Sequence, residues 1–329
     1  MQLQETNRIG SFNRPKQIIL HQSEPLSNIT INNHNVIEID SEYSDPEIED
    51  SDEEYVETEE KELTSTELII SQARNEEILI PISCDLFLSA QKAILPEFRE
   101  SAVKWAIRIN YYFRLTNDVL FNAISYFDIL LCHKTITKSE ILIYIAVCYW
   151  ISAKVDTRKQ PSVQELNEAS GAHFTSQQFI EVEVELLKIL HFKLQYPTTK
   201  FFMRQQQHEF KAVDDSHVLD MSRFISEVSL LKFQFLDYRY SIIASSITIL
   251  SFAAFNHISK AIEVATKELQ FGTNPDILKN CVSLLKRYSK LMMNDNKNTK
   301  SKGIQDMFEL SNLDVDVEEI IRLATCNLK

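Results

Sequence analysis

The residues that could perform catalysis are few, and their spacing does not bring them together. Acidic residues alternate at Glu181, Glu183 and Glu185, and paired carboxylates can act as a general acid and a general base. Alternate residues of a helix point about 200° apart, however, so these side chains cannot share one substrate. The eight histidines never pair at ligand spacing on one helix. The spacing therefore provides neither an acid–base pair nor a metal site.

The common catalytic and nucleotide-binding motifs are also missing. The chain contains no G-x-x-x-x-G-K-[ST], G-x-G-x-x-G, H-E-x-x-H, C-x-x-C or G-x-S-x-G. Its five scattered cysteines favour ordinary thiols in a reducing compartment over a disulfide framework or a zinc site. We therefore expect a protein that binds a partner and has no active site, metal or cofactor of its own.

One lysine stands out because of its position. The segment ILIYIAVCYWISA, residues 141–153, carries no charge, and Lys154 follows it directly. A segment that is apolar on every side predicts a central helix enclosed by other helices. A lysine at a helix C-terminus is favoured by the helix dipole, so by itself Lys154 is most simply a helix cap.

The composition favours an all-α fold with an electrically balanced globular part. Four glycines in 329 residues are few for a fold rich in tight turns or phosphate loops.

No apolar run reaches the roughly eighteen residues of a membrane span, and we expect a soluble, intracellular protein. Residues 38–60 contain thirteen acidic residues and no basic ones, so they account for the whole net charge of −13. A neutral remainder argues against a nucleic-acid-binding face.

Residues 1–64 predict a disordered, acidic regulatory tail, because so few apolar side chains cannot offset the entropy of ordering. Within the tail the cluster VIEID resembles a SUMO-interacting motif, which would add as a strand to a partner's sheet. The residues of this candidate motif are Val36, Ile37, Ile39 and Asp40. A chance cluster in a low-complexity tail is the simpler alternative. Ser44 and Ser51 each precede an acidic residue by three positions and are candidate sites for an acid-directed kinase.

Helical periodicity begins near Ser65 and falls into two similar units of five helices. In the helix predicted over Val119–Cys132, for example, apolar residues recur at three- and four-residue intervals. The uncharged segment SIIASSITILSFAAF lies about a hundred residues after its counterpart in the first unit. We expect two tandem units, each built around one apolar helix. The predicted divisions are a helical segment at 65–98, a first unit at 99–197, a second unit at 198–295 and a C-terminal extension at 296–329.

Two short motifs predict where helices begin. Ser162 is followed three residues later by Glu165, and Thr175 by Gln178. In such a capping box each side chain bonds the backbone N–H of the other residue. We expect one helix to start after Ser162 and the next after Thr175.

This architecture and these residues resemble the cyclins. Phe98, Arg99 and Trp105 fit the start of the family's first helix, and ISAKVDT matches the end of its third helix. FIEVEVELLKILHFKLQYPTTKFF matches the fifth helix and the link to the second repeat, and residues 227–247 are similar to A- and B-type cyclins in particular. The resemblance implies two tandem five-helix cyclin repeats, and residence in the nucleus and cytoplasm with the nucleus favoured.

The resemblance also implies a kinase-binding site. In cyclins the lysine matching Lys154 and the glutamate matching Glu183 together grip the C-helix region of a cyclin-dependent kinase. Apolar contacts beside them are matched here by Val155, Phe192 and Leu194. We expect the two charged residues to face each other across a gap that the kinase fills. Val155 replaces an aromatic residue of the family's pattern, so partner choice is expected to differ.

A second family surface is altered in this chain. Cyclins that recruit substrates through short Arg-x-Leu peptides use an apolar patch flanked by an acidic residue. The patch is matched here by Phe98, Ser101, Ala102, Trp105 and Ile141, with Arg108 at the acidic position. Small side chains shorten the groove and a cation repels the peptide's arginine, so we expect weak or altered docking. Plain core packing is an equal alternative for Trp105.

The resemblance therefore implies a regulatory subunit that binds and activates a cyclin-dependent kinase in the cell cycle. SUMO or ubiquitin-pathway proteins are further candidate partners of the tail, and no nucleic acid or membrane partner is expected. Two alternatives stay open. A basic recognition face would favour a transcription-type cyclin-fold protein acting with polymerase machinery, and absence of kinase activity on purification would favour a helical-repeat scaffold.

Overall fold

The computed structural model of the chain describes residues 65–158, 160–171, 174–295 and 310–328. Across these ranges the regular structure is helical and contains no strand, which confirms the predicted all-α fold. The candidate SUMO-interacting motif, Ser44 and Ser51 lie outside the described residues. In the described part, no helix is long and apolar enough to cross a membrane.

The α-helices of the described residues are α1 Ser65–Glu77, α2 Cys84–Ala90, α3 Pro96–Phe113, α4 Asn117–His133, α5 Ile141–Asp156, α6 Val163–Ser170, α7 Ser176–Ile189, α8 Thr199–Glu209, α9 Ser216–Leu231, α10 Tyr240–Ala254, α11 Ile258–Gln270, α12 Pro275–Asp295 and α13 Val317–Cys326. Two short 3-10 helices, Ala212–Asp214 and Phe233–Asp237, flank α9. Helices α3–α7 form the first repeat and α8–α12 the second.

Each repeat is built around the apolar helix that the sequence predicts at its centre. In the first repeat α5 packs against α3, α4 and α7, and most of its side chains are buried. In the second repeat α10 packs against α8, α9, α11 and α12, and every residue from Ser241 to Ala254 is buried. The buried apolar residues form two clusters, one centred on each repeat, and Leu231 and Leu236 of the second repeat join the first cluster. The predicted pair of tandem units is confirmed.

Both predicted capping boxes are present. The hydroxyl of Ser162 accepts a hydrogen bond from the backbone N–H of Glu165 at 3.2 Å, and that of Thr175 accepts one from Gln178 at 3.2 Å. The Glu165 and Gln178 side chains accept in return from the N–H groups of Ser162 and Thr175, at 2.7 and 2.8 Å. Because the second box fixes the first residue of α7, it also fixes which residues of that helix face α5.

Helix α13 was not foreseen in the predicted C-terminal extension. It packs against α11 and α12, and Val317, Ile320, Ile321 and Ala324 are buried. Their spacing of three, four and seven residues is the pattern of an amphipathic helix, so the signal was present in the sequence. Helix α13 thus belongs to the core of the second repeat.

Helix α1 is attached to the second repeat by two buried carboxylates. The Arg74 guanidinium donates to both oxygens of Glu268 on α11, at 3.1 and 2.5 Å. Glu77 accepts from the backbone N–H and the hydroxyl of Ser241, in the first turn of α10, at 2.9 and 2.5 Å. These contacts fix the N-terminal helical segment to the folded part of the chain.

Replacing Glu77 by glutamine should make stability less dependent on pH. Burial raises the pKa of the Glu77 carboxyl above its ordinary value, against the opposing effect of the bonds from Ser241. The stability that Glu77 contributes is therefore fully present below the ordinary pKa of about 4.3. It is lost as pH rises through the raised pKa of the folded chain. Glutamine keeps an acceptor for Ser241 without this titration.

Urea unfolding of wild type and Glu77→Gln between pH 4.5 and 7.5 measures the effect. The free energy of unfolding of the variant, relative to wild type, should rise as pH increases above about 4.3 and level off once pH exceeds the raised pKa of Glu77. A difference that stays constant with pH would contradict the assignment.

A buried ion pair lies where the two repeats meet. Arg99 on α3 donates from Nε and Nη2 to the two carboxylate oxygens of Asp128 on α4, at 2.6 and 2.8 Å. Its third nitrogen, Nη1, donates to the carbonyls of Leu230 and Leu231 at the end of α9, at 3.0 and 3.3 Å. Burial would lower the pKa of Arg99, but Asp128 outweighs it and holds the pKa above its ordinary value. The charge is thus compensated inside the protein.

Candidate functional site

Lys154 lies in the last turn of α5 and contacts Glu183 on α7 directly. The ammonium nitrogen is 2.6 Å from Oε1 of the carboxylate. The expected gap between the two residues is therefore wrong, because α5 and α7 pack against each other and the two side chains are in contact. The pair that the resemblance implies is already formed in the free chain.

Trp150 orients the lysine of this pair. The Lys154 ammonium lies 3.4 Å from the centroid of the Trp150 ring, one helical turn earlier on α5, which is a cation–π contact. The indole N–H donates to the carbonyl of Pro161 at 3.0 Å, and the ring packs edge-on against Phe179 of α7. Sequence reasoning missed Trp150, although its spacing of four residues from Lys154 was a usable signal.

The Lys154–Glu183 pair keeps bonding capacity for a partner. The side chains of Lys154 and Glu183 are 32% and 19% exposed, so their attraction in the free chain is worth only about 0.2–1 kcal/mol. Their contact uses one of the three ammonium donors and one of the two carboxylate oxygens. A covering partner can therefore supply both an acceptor and a donor to groups that are already oriented.

Exposed apolar side chains accompany the pair. Val155 follows Lys154, Ile180 lies three residues before Glu183 on one face of α7, and Val184 lies one turn after Ile180. Their exposures are between 42% and 49%. Phe192, just after α7, is 71% exposed. We call these six residues the α5–α7 face: Lys154, Val155, Ile180, Glu183, Val184 and Phe192. Apolar side chains around an oriented polar group are typical of a protein-binding surface.

The structure separates Leu194 from the other predicted contact residues. Leu194 is half-buried and packs against the core of the first repeat, whereas Val155 and Phe192 are exposed. Ile180 and Val184 were missed in the sequence. They could have been found as apolar residues three positions before and one position after Glu183 on a helix that otherwise buries its apolar side chains.

The neighbouring carboxylate Glu185 has a structural contact of its own. The Tyr144 hydroxyl donates to Glu185 at 2.6 Å, and the Lys134 ammonium contacts both residues. Partial burial would raise the pKa of Glu185, but the bonds from Lys134 and Tyr144 outweigh it and hold the pKa below its ordinary value. Glu185 therefore fixes α7 against α5, and it does not share a site with Glu183. In the described ranges no group of acidic, histidine and cysteine side chains could hold a metal ion.

The predicted substrate-docking patch is only partly on the surface. Ala102 and Trp105 are 5% and 7% exposed, so they belong to the core and do not line an open groove. Ser101 and Arg108 are exposed, while Phe98 and Ile141 are half-buried. The Lys138 ammonium lies 4.4 Å from the centroid of the Phe98 ring. The patch thus offers few apolar side chains, together with two cations.

We expect an Arg-x-Leu peptide to bind this patch only weakly. Arg108 and Lys138 repel the peptide's arginine, and the buried Ala102 and Trp105 give its leucine little surface to contact. Fluorescence anisotropy with a labelled Arg-x-Leu peptide measures the affinity, with Arg108→Glu as the matched variant. The variant should bind more tightly than wild type, and micromolar binding to wild type would contradict the prediction.

Two tandem five-helix repeats, each enclosing one apolar helix, define the class of fold. The N-terminal domain of the cyclins matches residues 68–195, and the C-terminal domain of the cyclins matches residues 197–314. The chain belongs to the cyclin family, which confirms the resemblance seen in the sequence. Members of the family are regulatory proteins without a catalytic site of their own.

The chain is similar to several A-type cyclins. It is 28% identical to Cyclin-A1-4 of Oryza sativa subsp. japonica over 167 residues, which cover 50% of this chain and 47% of that protein. It is 25% identical to G2/mitotic-specific cyclin-A of Hydra viridissima over 199 residues, which cover 60% of this chain and 46% of that protein. The match therefore spans about half the length of these relatives.

A solved structure shows the same fold. A viral cyclin from herpesvirus saimiri superposes with a TM-score of 0.58 at 18% sequence identity, covering 68% of this chain and 96% of the viral one. At this identity the likeness concerns the fold alone.

Proposed function

We propose that this cyclin is a regulatory subunit that binds and activates a cyclin-dependent kinase through the α5–α7 face. The observation that carries the proposal is the Lys154–Glu183 pair, oriented by Trp150 and accompanied by exposed apolar side chains. Action in the cell cycle and residence in the nucleus belong to the same proposal. The similarity to A-type and G2/mitotic-specific cyclins supports action in the cell cycle.

Activation would work by a population shift in the kinase. A rigid helical face that binds the active position of the kinase's mobile C-helix more tightly than the inactive one favours the active position. The catalytic residues and the ATP belong to the kinase. The cyclin's own contribution is the fixed geometry of α5 and α7, which the Lys134–Tyr144–Glu185 contacts hold together.

Affinity purification of the tagged full chain tests the proposal. Proteins recovered with wild type and with the Lys154→Ala, Glu183→Ala double variant are identified by mass spectrometry and assayed for histone kinase activity. A cyclin-dependent kinase should be recovered with wild type only. Recovery of polymerase subunits without a kinase would favour the transcription-type alternative, and recovery of neither would favour a scaffold. A kinase recovered equally with both would reject the α5–α7 face.

A further inference from the structure

The loop after α7 has an unusual backbone. His191 and Phe192 have φ values of 48° and 57°, in the left-handed region that favours glycine. The N–H of Phe192 donates to the carbonyl of Leu187 at 2.9 Å, and that of His191 to Lys188 at 3.1 Å. This is the Schellman arrangement that ends helices, with side-chain-bearing residues in place of the usual glycine. Such a conformation persists only where surrounding contacts hold it.

Tyr126 makes buried contacts with the residues that follow this turn. It lies on α4 with 0% exposure, and its hydroxyl donates to the carbonyl of Leu194. Its ring also packs against Tyr196, with centroids 6.2 Å apart. A second restraint, the Lys193–Glu76 pair at 3.4 Å, has side chains that are 45% and 35% exposed, and such a pair contributes little. Of these two side-chain contacts, the buried hydroxyl is therefore the stronger restraint.

The position of Phe192 depends on its backbone. Its side chain is 71% exposed, so packing within the chain does little to fix it. Its direction follows from the left-handed backbone on which it stands. A side chain that is already in its bound position loses less conformational freedom when a partner binds, which raises affinity.

We propose that Tyr126 is a positioning residue for kinase binding, whose hydroxyl holds the 191–194 loop so that Phe192 is presented before the kinase arrives. The inference rests on the proposed function of the α5–α7 face. Tyr126 is fully buried and would not touch the kinase itself. Its effect on affinity passes through the Leu194 carbonyl to the backbone of Phe192.

Tyr126→Phe removes the hydroxyl and leaves the ring. Because one hydrogen bond contributes about a factor of ten to an equilibrium, we expect kinase affinity to fall by up to about tenfold. In a chain that also carries Phe192→Ala, the same change should alter affinity by less than about twofold, since the side chain that Tyr126 positions is gone. Titration calorimetry with the purified kinase gives all four affinities. Equal losses in both backgrounds, or no loss in either, would overturn the proposal.

Tyr149→Phe is the matched control. Tyr149 is another tyrosine with 0% exposure in the first-repeat core, and its hydroxyl donates to Asn110 at 3.3 Å, away from the loop. Tyr149→Phe should also lower thermal stability but leave kinase affinity unchanged. If it weakens kinase binding as much as Tyr126→Phe does, the effect is one of general stability and the proposal fails.

Amide hydrogen exchange of the free chain tests the loop without a kinase. Tyr126→Phe should speed exchange at Phe192 by about tenfold relative to wild type, because the loop opens more often. An unchanged exchange rate at Phe192 would overturn the role of Tyr126 but would leave the proposed function of the α5–α7 face intact. A wild-type chain that binds no cyclin-dependent kinase would overturn the proposed function, and with it any role of Tyr126 in kinase binding.

Discussion

Replacing both Lys154 and Glu183 by alanine should abolish kinase binding and leave thermal stability nearly unchanged. In the free chain the two side chains are partly exposed, so losing their attraction costs only about 0.2–1 kcal/mol. Once a kinase covers them, the loss also leaves the kinase's bonding groups unpaired. Truncating a covered charge costs about 2–5 kcal/mol, which is a loss of affinity of about 30-fold to several-thousand-fold.

Calorimetric titration with the kinase and thermal unfolding of the free chain measure the two quantities. The matched control is Arg223→Ala with Asp220→Ala, which removes an exposed pair of the second repeat with a 2.8 Å contact. This control should change neither affinity nor stability appreciably. Equal kinase affinity for wild type and the Lys154, Glu183 double variant would reject the proposed site.

Asp128→Ala should produce the largest loss of stability, about 3–5 kcal/mol of unfolding free energy. The substitution removes the carboxylate that receives two bonds from Arg99, whose side chain is only 2% exposed. The guanidinium would then be a buried charge without a counter-ion, held only by two carbonyls. The cost arises from this uncompensated charge rather than from the small cavity left by the carboxylate.

Urea unfolding gives the free energies, and Asp220→Ala, which breaks an exposed pair, is the control with an expected change below about 0.5 kcal/mol. Arg99→Met with Asp128→Leu removes both charges together and should recover much of the loss, because apolar replacement of a whole buried pair is often tolerated. If the free energy of unfolding of Asp128→Ala lies within about 1 kcal/mol of the wild-type value, the Arg99–Asp128 pair does not determine the stability of the fold.

Local signals in the sequence predict most of the fold. The helix predicted over Val119–Cys132 extends over Asn117–His133 in the structure, a difference typical of fraying helix ends. The uncharged segments identified α5 and α10, because a helix without a polar side has to be enclosed. Helix α13 was not predicted, although its apolar spacing is visible in the sequence. The reason is that it is short and follows a polar segment, so the region was assigned only as a C-terminal extension.

Local signals in the sequence predict less of the candidate site. Lys154 and Glu183 are twenty-nine positions apart in the sequence, and only the cyclin resemblance connected them. The distance between them depends on how closely α5 and α7 pack, which explains why a gap was expected where the structure has a 2.6 Å contact. The role of Tyr126 could not be predicted for another reason. A tyrosine in a largely apolar helix looks like any other core residue until the partner of its hydroxyl is known.

The position of Arg99 links the stability of the first repeat to that of the second. Its carboxylate partner belongs to the first repeat, but two of its acceptors are carbonyls of α9 in the second. If the second repeat unfolded alone, water would reach the Arg99–Asp128 pair and the apolar residues around it. The stability of α3 and α4 is therefore linked to that of α9. The first repeat, which carries the α5–α7 face, is stabilised by a neighbour that contributes no residue to that face.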